Sequence, residues 1–331
     1  MAKIASRRGI LRMGAGLAGL GLLPGGGTRA VAAPWRGANL IATPEAPLGS
    51  PACGQALKNL RDLGGNAVAL IPFLWQPAPA SPEIVLGDAV SPETLRAGIR
   101  QARDLGLRVM VKPHVWVPQT WAGAIEFSNA VDQTRWIGRY RAILLDLAHL
   151  AQDEGAEALA LGTELRGVSG DPAWPGIIRA VRERFKGTVT YVAHWDGELE
   201  KLPFRPLLDV ACSSLYPPLG DDDAGLAARI DGLAADLARR KPLWIGELGL
   251  RSAVGGQAKP WESPEERDAH PDGDLQARVL DHWLAALARH GLPDVLVWRW
   301  FSDPAAGGHH DTDFTLQGKP AEAVLRRHFS G

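Results

Sequence analysis

Two glutamates end apolar runs of strand length in this chain. Glu164 follows the run in "ALALGTELRG", and Glu247 lies in "LWIGELGLRS" where the run meets a polar segment. Two opposed carboxylates suit glycosidic bond hydrolysis, because a protonated one donates to the leaving oxygen while an ionised one attacks the anomeric carbon. Helix caps or surface ion pairs with Arg166 and Arg251 are the alternative. We predict that Glu164 and Glu247 are catalytic.

A tyrosine ends another apolar run, in "SSLYPP". Tyrosine is scarce, with three in the whole chain, and Tyr216 is the one at the end of a predicted strand. A hydrogen bond from its hydroxyl to Glu247 would orient that carboxylate and keep its pKa low. The alternative is a tyrosine at the rim that is bonded only to water.

Tryptophan, by contrast, is abundant, with twelve in the chain. The C–H faces of pyranose rings pack on aromatic planes, so indoles at the mouth of a site suit sugar binding. Trp298 and Trp300 share a parity in "DVLVWRWF", and we predict that at least one of them lies in the site. Trp116 and Trp195 end two other runs, although core packing is the better explanation for any single tryptophan.

Eight apolar runs alternate with amphipathic helical segments after Pro34. The runs cover residues 36–42, 66–74, 108–117, 158–165, 188–195, 208–216, 243–250 and 294–301, and six helical segments lie between them. The connection at 197–206 is too short for a good helix. Such alternation favours a parallel sheet covered on both faces, and eight units predict an α/β fold with a single (β/α)8 TIM barrel. A doubly wound open sheet is the alternative, but its Gly-rich phosphate turn is missing.

Active sites of such barrels form at the C-terminal ends of the strands. Strict alternation would place Ile245 on the same face as Glu247, so that both glutamates point inward. The long segments 118–133 and 251–274 lie on the same side. The polar and aromatic residues at these ends are Asn39, Lys112, His114, Trp116, Glu164, His194, Trp195, Asp196, Tyr216, Glu247, Trp298, Trp300 and Asp303.

Charge and composition exclude several classes of partner. The chain has 36 Lys+Arg and 37 Asp+Glu, a balance that argues against nucleic-acid binding. Its two cysteines, Cys53 and Cys212, predict separate buried thiols. "HHDTDF" at 309–314 has metal-ligand residue types without a recognisable spacing, which favours a polar loop. We therefore predict no metal, no cofactor and a monomer.

The N-terminus has the features of an export signal. Arg7 and Arg8 precede a weakly apolar stretch from Met13 to Leu23, and small residues follow at Ala30 and Ala32. We predict a twin-arginine-type signal peptide over residues 1–32, exported by the twin-arginine machinery of a bacterium, and a catalytic domain over 34–331 in the periplasm or medium. A permanent membrane anchor is the alternative, but the stretch is about half of the ~20 residues needed to span a bilayer.

Four motifs together resemble glycoside hydrolase family 113, a group of endo-β-1,4-mannanases within the clan of retaining (β/α)8 glycosidases. They are "GTELRG", "SLYPP", "WIGELGLRS" and "VWRWFSDP", and the specific part of the resemblance is about thirty residues. The resemblance implies Glu164 as acid/base, Glu247 as nucleophile, Tyr216 as the partner of the nucleophile, and Trp298 or Trp300 under the sugar. "VKPHVWV" adds Lys112 and His114 as sugar-binding candidates.

One position departs from the wider clan. The residue before the acid/base is usually an Asn that bonds the sugar 2-hydroxyl, and here it is Thr163, as in family 113 itself. What holds the 2-hydroxyl therefore stays open.

Together the residues predict a retaining hydrolase of a β-1,4-linked polysaccharide, with an endo-β-mannanase as the preferred interpretation. Its sugar-binding residues would be Lys112, His114, Trp116, His194, Trp195, Trp298 and Trp300. The alternatives are the same chemistry on another β-glycan or exopolysaccharide, and a sugar-binding barrel without catalysis. We further expect Glu164 to have a higher pKa than Glu247, because an aromatic mouth and a nearby like charge favour its protonated form.

Overall fold

Eight parallel strands close into a barrel in the computed structural model, which describes residues 33–330. Around the barrel the order is β1, β11, β10, β9, β8, β7, β5 and β2. Their bounds are β1 Arg36–Ile41, β2 Ala67–Leu70, β5 Arg108–Val111, β7 Ala158–Thr163, β8 Thr188–Ala193, β9 Ala211–Leu215, β10 Leu243–Leu248 and β11 Val295–Phe301. The (β/α)8 fold is confirmed. The signal peptide predicted over 1–32 lies outside the described residues.

Helices cover the outside of the barrel. They are α1 Pro51–Asp62, α2 Pro92–Asp104, α3 Ala130–Asp153, α4 Trp174–Arg184, α5 Leu226–Ala238, α6 Gly273–Arg289 and α7 Ala321–Phe329. The first two start at serine caps that precede a proline. The side chains of Ser50 and Ser91 each accept a hydrogen bond from the backbone amide three residues later. The six predicted helices are present, α7 is additional, and 197–206 contains only short 3-10 turns. None of the helices within residues 33–330 is long and apolar enough to cross a bilayer.

Two apolar cores lie on the two sides of the barrel wall. The inner one combines small side chains on alternate strand positions, such as Ala67, Ala69, Ala158 and Ala160, with larger ones such as Trp298. The outer, larger one joins the other strand faces to the helices. Because the side chains on both faces of each strand are buried, the strands appear in the sequence as continuous apolar runs.

Two prolines divide predicted strands. The runs at 66–74 and 108–117 each break at a proline, Pro72 or Pro113, because proline has no N–H for the barrel ladder. The chain then resumes as β3 (Phe73–Trp75) and β6 (His114–Trp116). These two pair in parallel, and β4 (Val85–Leu86) adds antiparallel to β3. This second, three-stranded sheet stands at the C-terminal end of the barrel.

Three barrel strands carry a register shift near their C-terminal ends. β7 advances three residues, Ala160 to Thr163, while β8 advances two. β10 advances two residues, Ile245 to Glu247, while β9 advances one, and β11 advances three, Val297 to Trp300, against two on β1. An extra residue of this kind is a β-bulge, which re-aims the side chains that follow it.

Because of these bulges, two expectations based on strict alternation are wrong. Leu243 and Ile245 pack in the outer core, whereas Glu247, beyond the bulge, faces the barrel interior. The expected placement of Trp300 in the mouth is wrong. Trp298 packs in the inner core, but the indole of Trp300 is fully buried in the outer one and its Nε1 donates to the Ala56 carbonyl of α1 at 3.1 Å.

Replacement of Trp300 tests this placement. We expect Trp300→Ala to lower the free energy of unfolding by about 3–5 kcal/mol, because it removes a large side chain from a packed core. Its indole lies outside the mouth, so the KM of the folded variant should stay within about twofold of wild type, a difference of less than ~0.5 kcal/mol. Urea unfolding and steady-state kinetics measure the two effects, and a raised KM with unchanged stability would contradict the assignment.

Candidate active site

Glu164 lies at the end of β7, and one oxygen of its carboxylate has two side-chain partners. Its Oε1 is 3.0 Å from Nδ1 of His194 and accepts a hydrogen bond from Oγ of Ser214. The backbone of Glu164 has φ of 52°, a left-handed conformation that non-glycine residues rarely adopt. Such conformations persist where the surrounding structure holds them, and they concentrate at functional sites.

A buried hydrogen-bond network holds the backbone next to Glu164. The amide of Leu165 donates to the hydroxyl of Tyr191 at 2.7 Å, and that hydroxyl donates to Glu198 at 2.7 Å. The second oxygen of Glu198 accepts from the amide of His194 at 2.6 Å. Glu198 therefore ties the segment after Glu164 to the segment that carries its partner His194. Burial raises the pKa of Glu198.

Glu247 lies deeper in the barrel and is almost fully buried. Its Oε1 accepts from the ammonium of Lys112, and its Oε2 accepts from the hydroxyl of Tyr216 at 2.8 Å. The predicted contact between Tyr216 and Glu247 is thus present. Lys112 itself is fully buried, so its ammonium sits under the carboxylate rather than on a sugar-facing surface. Lys112 was expected to bind sugar, but in the structure it contacts Glu247 instead.

The two carboxyl groups differ in electrostatic environment. Burial raises the pKa of Glu247 above its ordinary value, although the charge of Lys112 acts in the opposite direction. Burial also acts to raise the pKa of Glu164, but the hydrogen bond and charge of His194 outweigh it and hold that pKa below the ordinary value. These two directions run against the expected order, and for Glu164 the cause is the hydrogen bond and charge of His194, a partner that the sequence did not show.

His114 and Trp298 form the wall beside Glu247. Their rings stack with centroids 5.6 Å apart, and Nδ1 of His114 is 3.8 Å from Oε1 of Glu247. Burial, with the nearby charge of Lys112, lowers the pKa of His114 to about 3, so the imidazole is neutral at physiological pH. Among the described residues its Nδ1 has no hydrogen-bond partner, and neither has Oδ1 of the buried Asn39. Both are buried polar atoms beside the candidate site.

A second aromatic group lies on the Glu164 side. Trp195 follows His194, and its indole stacks on Trp261 of the long segment after β10, with centroids 5.9 Å apart. Within residues 33–330 its buried Nε1 lacks a partner. The ring of Trp121, in the segment after β6, is 4.7 Å from that of His194. Trp116 lies further out, on the second sheet.

The alternative roles considered for the glutamates do not apply. Arg166 pairs instead with the exposed Asp196, at 3.6 Å, and Arg251 donates to Thr312 and to backbone carbonyls. In the "HHDTDF" segment, Asp311 and Asp313 pair with Lys319 and Arg299. Across residues 33–330 no group of three or more His, Cys, Asp or Glu side chains is placed to hold a metal ion. Cys53 and Cys212 are buried free thiols, as predicted.

Residues 43–319 match the sequence profile of Glycoside Hydrolase Family 113. The chain belongs to this family. It is therefore a glycoside hydrolase. No curated protein sequence is significantly similar to the chain.

Solved structures of the family have the same fold as this enzyme. The family-113 β-mannanase of Alicyclobacillus acidocaldarius, in complex with ManMIm, is 27% identical, with a TM-score of 0.77 over 90% of this chain and 97% of that one. A family-113 β-1,4-mannanase is 22% identical, with a TM-score of 0.78 over 89% and 98% of the two chains. The family-53 catalytic domain of Ignisphaera aggregans shares the fold at 13% identity, with a TM-score of 0.56 over 88% and 95%.

Several residues around the carboxylates of this glycoside hydrolase were missed from the sequence. Ser214 lies two residues before Tyr216 and shares its strand parity, so its inward position on β9 was a usable signal. Glu198 and Tyr191 gave no signal, because one lies in a loop and the other within an apolar run. Trp121 and Trp261 lie far from any strand end, and only the folded chain places them near His194 and Trp195.

Removal of the Lys112 charge tests its effect on Glu247. Because that charge lowers the pKa of Glu247, Lys112→Met should raise this pKa further. The acidic limb of the pH profile of kcat/KM reports the ionised carboxylate of the free enzyme, so it should move to higher pH. At the optimum, kcat/KM should fall by about tenfold or more.

Lys112→Arg is the control, because it keeps the positive charge and should leave the acidic limb closer to wild type. Breaking a buried pair also costs about 3–5 kcal/mol of stability, so circular dichroism must first show that the variant is folded. An unshifted acidic limb in folded Lys112→Met would show that the ammonium does not control the ionisation of Glu247.

Proposed function

We propose that this glycoside hydrolase cleaves a β-1,4-linked mannan-type polysaccharide by double displacement, with Glu247 as nucleophile and Glu164 as acid/base. The observation that supports this most directly is the pair of carboxylates at the barrel mouth with unlike partners. Lys112 and Tyr216 hold Glu247. His194 and Ser214 hold Glu164.

The partners of Glu247 suit a nucleophile. An ammonium and a hydroxyl donate to its two oxygens, so the ionised carboxylate is stabilised and fixed in orientation. A fixed carboxylate attacks the anomeric carbon without first reorganising its surroundings. The resulting glycosyl ester neutralises Glu247, and the charge of Lys112 then favours the return of the carboxylate as the ester is hydrolysed.

The partners of Glu164 suit a group that gives and takes a proton. In the first step the protonated carboxyl of Glu164 donates its proton to the leaving oxygen. After the first step, ionised Glu164 accepts a proton from the water that hydrolyses the ester. The hydroxyl of Ser214 keeps Oε1 oriented throughout.

The assignment of mannan rests on relatives whose substrate class is known. The 27%-identical family member is a β-mannanase, and the 22%-identical one is a β-1,4-mannanase. Thr163 does not replace the missing Asn, because its hydroxyl points to the Pro113 carbonyl at 3.3 Å. Within the part of the chain that the structure describes, His114 Nδ1 and Asn39 Oδ1 are unpaired polar atoms on the Glu247 side. We assign contact with the 2-hydroxyl to His114, whose Nδ1 is 3.8 Å from Oε1 of Glu247.

Two alternatives are separated by product analysis. A related enzyme for another β-glycan or an exopolysaccharide would release reducing ends from that polymer and not from β-1,4-mannan. A sugar-binding barrel without catalysis would bind oligosaccharides and release none. A reducing-sugar assay over a panel of β-glycans distinguishes all three outcomes.

We also propose that the enzyme acts outside the cytoplasm, in the periplasm or medium of a bacterium. The support is the sequence of residues 1–32, with Arg7 and Arg8 before an apolar stretch. Replacing both arginines by lysine keeps the charge but should stop export through the twin-arginine machinery, which cell fractionation measures.

Azide rescue tests the two catalytic roles separately. In Glu247→Gly, azide fills the vacated space and attacks an activated β-aryl glycoside from the face opposite the leaving group, which gives an α-glycosyl azide. In Glu164→Gly the glycosyl-enzyme still forms, because an aryl leaving group needs no proton, and azide then gives a β-glycosyl azide. NMR of the products measures the anomeric configuration. Products of the same configuration from both variants, or exchanged configurations, would contradict the assignment.

A further inference from the structure

The second sheet presents four aromatic rings on one face. β3 and β6 pair in register, Phe73 with His114 and Trp75 with Trp116. The residues between them, Leu74 and Val115, are buried on the other face. We call Trp75, Trp116, Phe73 and His114 the aromatic strip.

The strip is continuous with the candidate active site. Its inner end, His114, stacks on Trp298 and is 3.8 Å from Oε1 of Glu247 by its Nδ1. The ring centroids of His114 and Phe73 are 5.6 Å apart. Those of Phe73 and Trp116 are 6.0 Å apart, and those of Trp116 and Trp75 are 5.9 Å apart. The outer two indoles remain 42% and 45% exposed.

The outermost ring is held in place by a glycine. Gly87 follows β4, and its amide donates to the Phe73 carbonyl at 2.8 Å. A Cβ at position 87 would lie 2.4 Å from Nε1 of Trp75, so the indole packs directly on the backbone. An exposed side chain that is already ordered loses little conformational entropy when a ligand covers it. This distinguishes Trp75 from an ordinary exposed tryptophan.

We propose that the aromatic strip binds the sugars on the glycone side of the cleaved bond, beyond the residue that reacts with Glu247. This proposal rests on the proposed function. The ligand is a β-1,4-linked chain of neutral pyranoses, whose C–H faces pack on indoles. Two residues along a strand span about 6.6 Å, so Trp116 lies roughly one sugar beyond His114.

The side is assigned from the positions of the two carboxylates. The acid protonates the leaving oxygen, so the leaving chain lies next to Glu164. Trp121 contacts His194 there, and Trp261 stacks on Trp195. The aromatic strip starts instead beside Glu247, on the side where the glycone is held. Trp261 is 44% exposed, and thus supplies a matched control on the opposite side.

The test compares Trp75→Ala and Trp116→Ala with Trp261→Ala. β-1,4-Mannohexaose labelled with ¹⁸O at its reducing end serves as the probe, or the hexasaccharide of whichever β-glycan the wild type cleaves. Mass spectrometry of the products then gives the position of each cleavage. Loss of a glycone-side contact should move cleavage toward the non-reducing end and lower kcat/KM for the hexasaccharide by about tenfold.

The controls separate binding from loss of structure. Trp261→Ala should move cleavage the other way, and Trp75→Phe should restore part of the wild-type pattern. An aryl β-glycoside with a single sugar does not reach Trp75, so its kcat/KM should stay within about twofold of wild type, under ~0.5 kcal/mol, in Trp75→Ala.

An unchanged cleavage pattern in folded Trp75→Ala and Trp116→Ala, or a shift toward the reducing end, would overturn the glycone assignment while leaving the proposed function intact. A wild-type enzyme that cleaves no oligosaccharide of the panel would overturn both.

Discussion

The contact between Lys112 and Glu247 is the constraint on which the rest of the active site depends. Both side chains are almost completely removed from water, with exposures of 0% and 3%. A buried carboxylate without a partner is very costly, so this ammonium is a condition for having an ionised carboxylate at this depth. Lys112 places one positive charge at the base of the mouth, next to the carboxylate of Glu247. Its field also helps to keep His114 neutral, which leaves that imidazole free to exchange hydrogen bonds with a sugar.

Bulges at the strand ends decide which side chains meet this pair. β7, β10 and β11 each contain one extra residue near the C-terminal end of the strand, shortly before the mouth. Without the bulge in β10, Glu247 would share the outward face of Ile245 and lie among the helices. The bulge in β11 has the opposite effect on Trp300, which it sends outward while Trp298 stays inside. The same local irregularity thus supplies one functional group and withdraws another.

Much of the fold follows from the sequence because eight apolar runs of the right length and six amphipathic segments admit few arrangements. The positions of Glu164, Glu247 and Tyr216 at the mouth could be predicted for a related reason, since polar groups that end buried strands have only the mouth to occupy. The outward orientation of Trp300 and of Ile245 could not be predicted. A bulge shifts the two-residue alternation of a strand, and the apolar pattern of the sequence does not show where this happens. The relative acidity of Glu164 depends on His194, thirty residues away in the chain. Sequence spacing does not show that contact.

The two prolines that split the second and third predicted strands have an evolutionary consequence. Because β3 and β6 resume directly after Pro72 and Pro113, the distance from the reacting centre to the exposed indoles is set by hydrogen-bonded backbone and not by a flexible connection. A single-residue insertion in β3 or β6 would turn every following ring to the buried face, whereas an insertion of two would restore the facing and add about 6.6 Å of surface. Variation in substrate length among relatives with this sheet should therefore arise in steps of two residues.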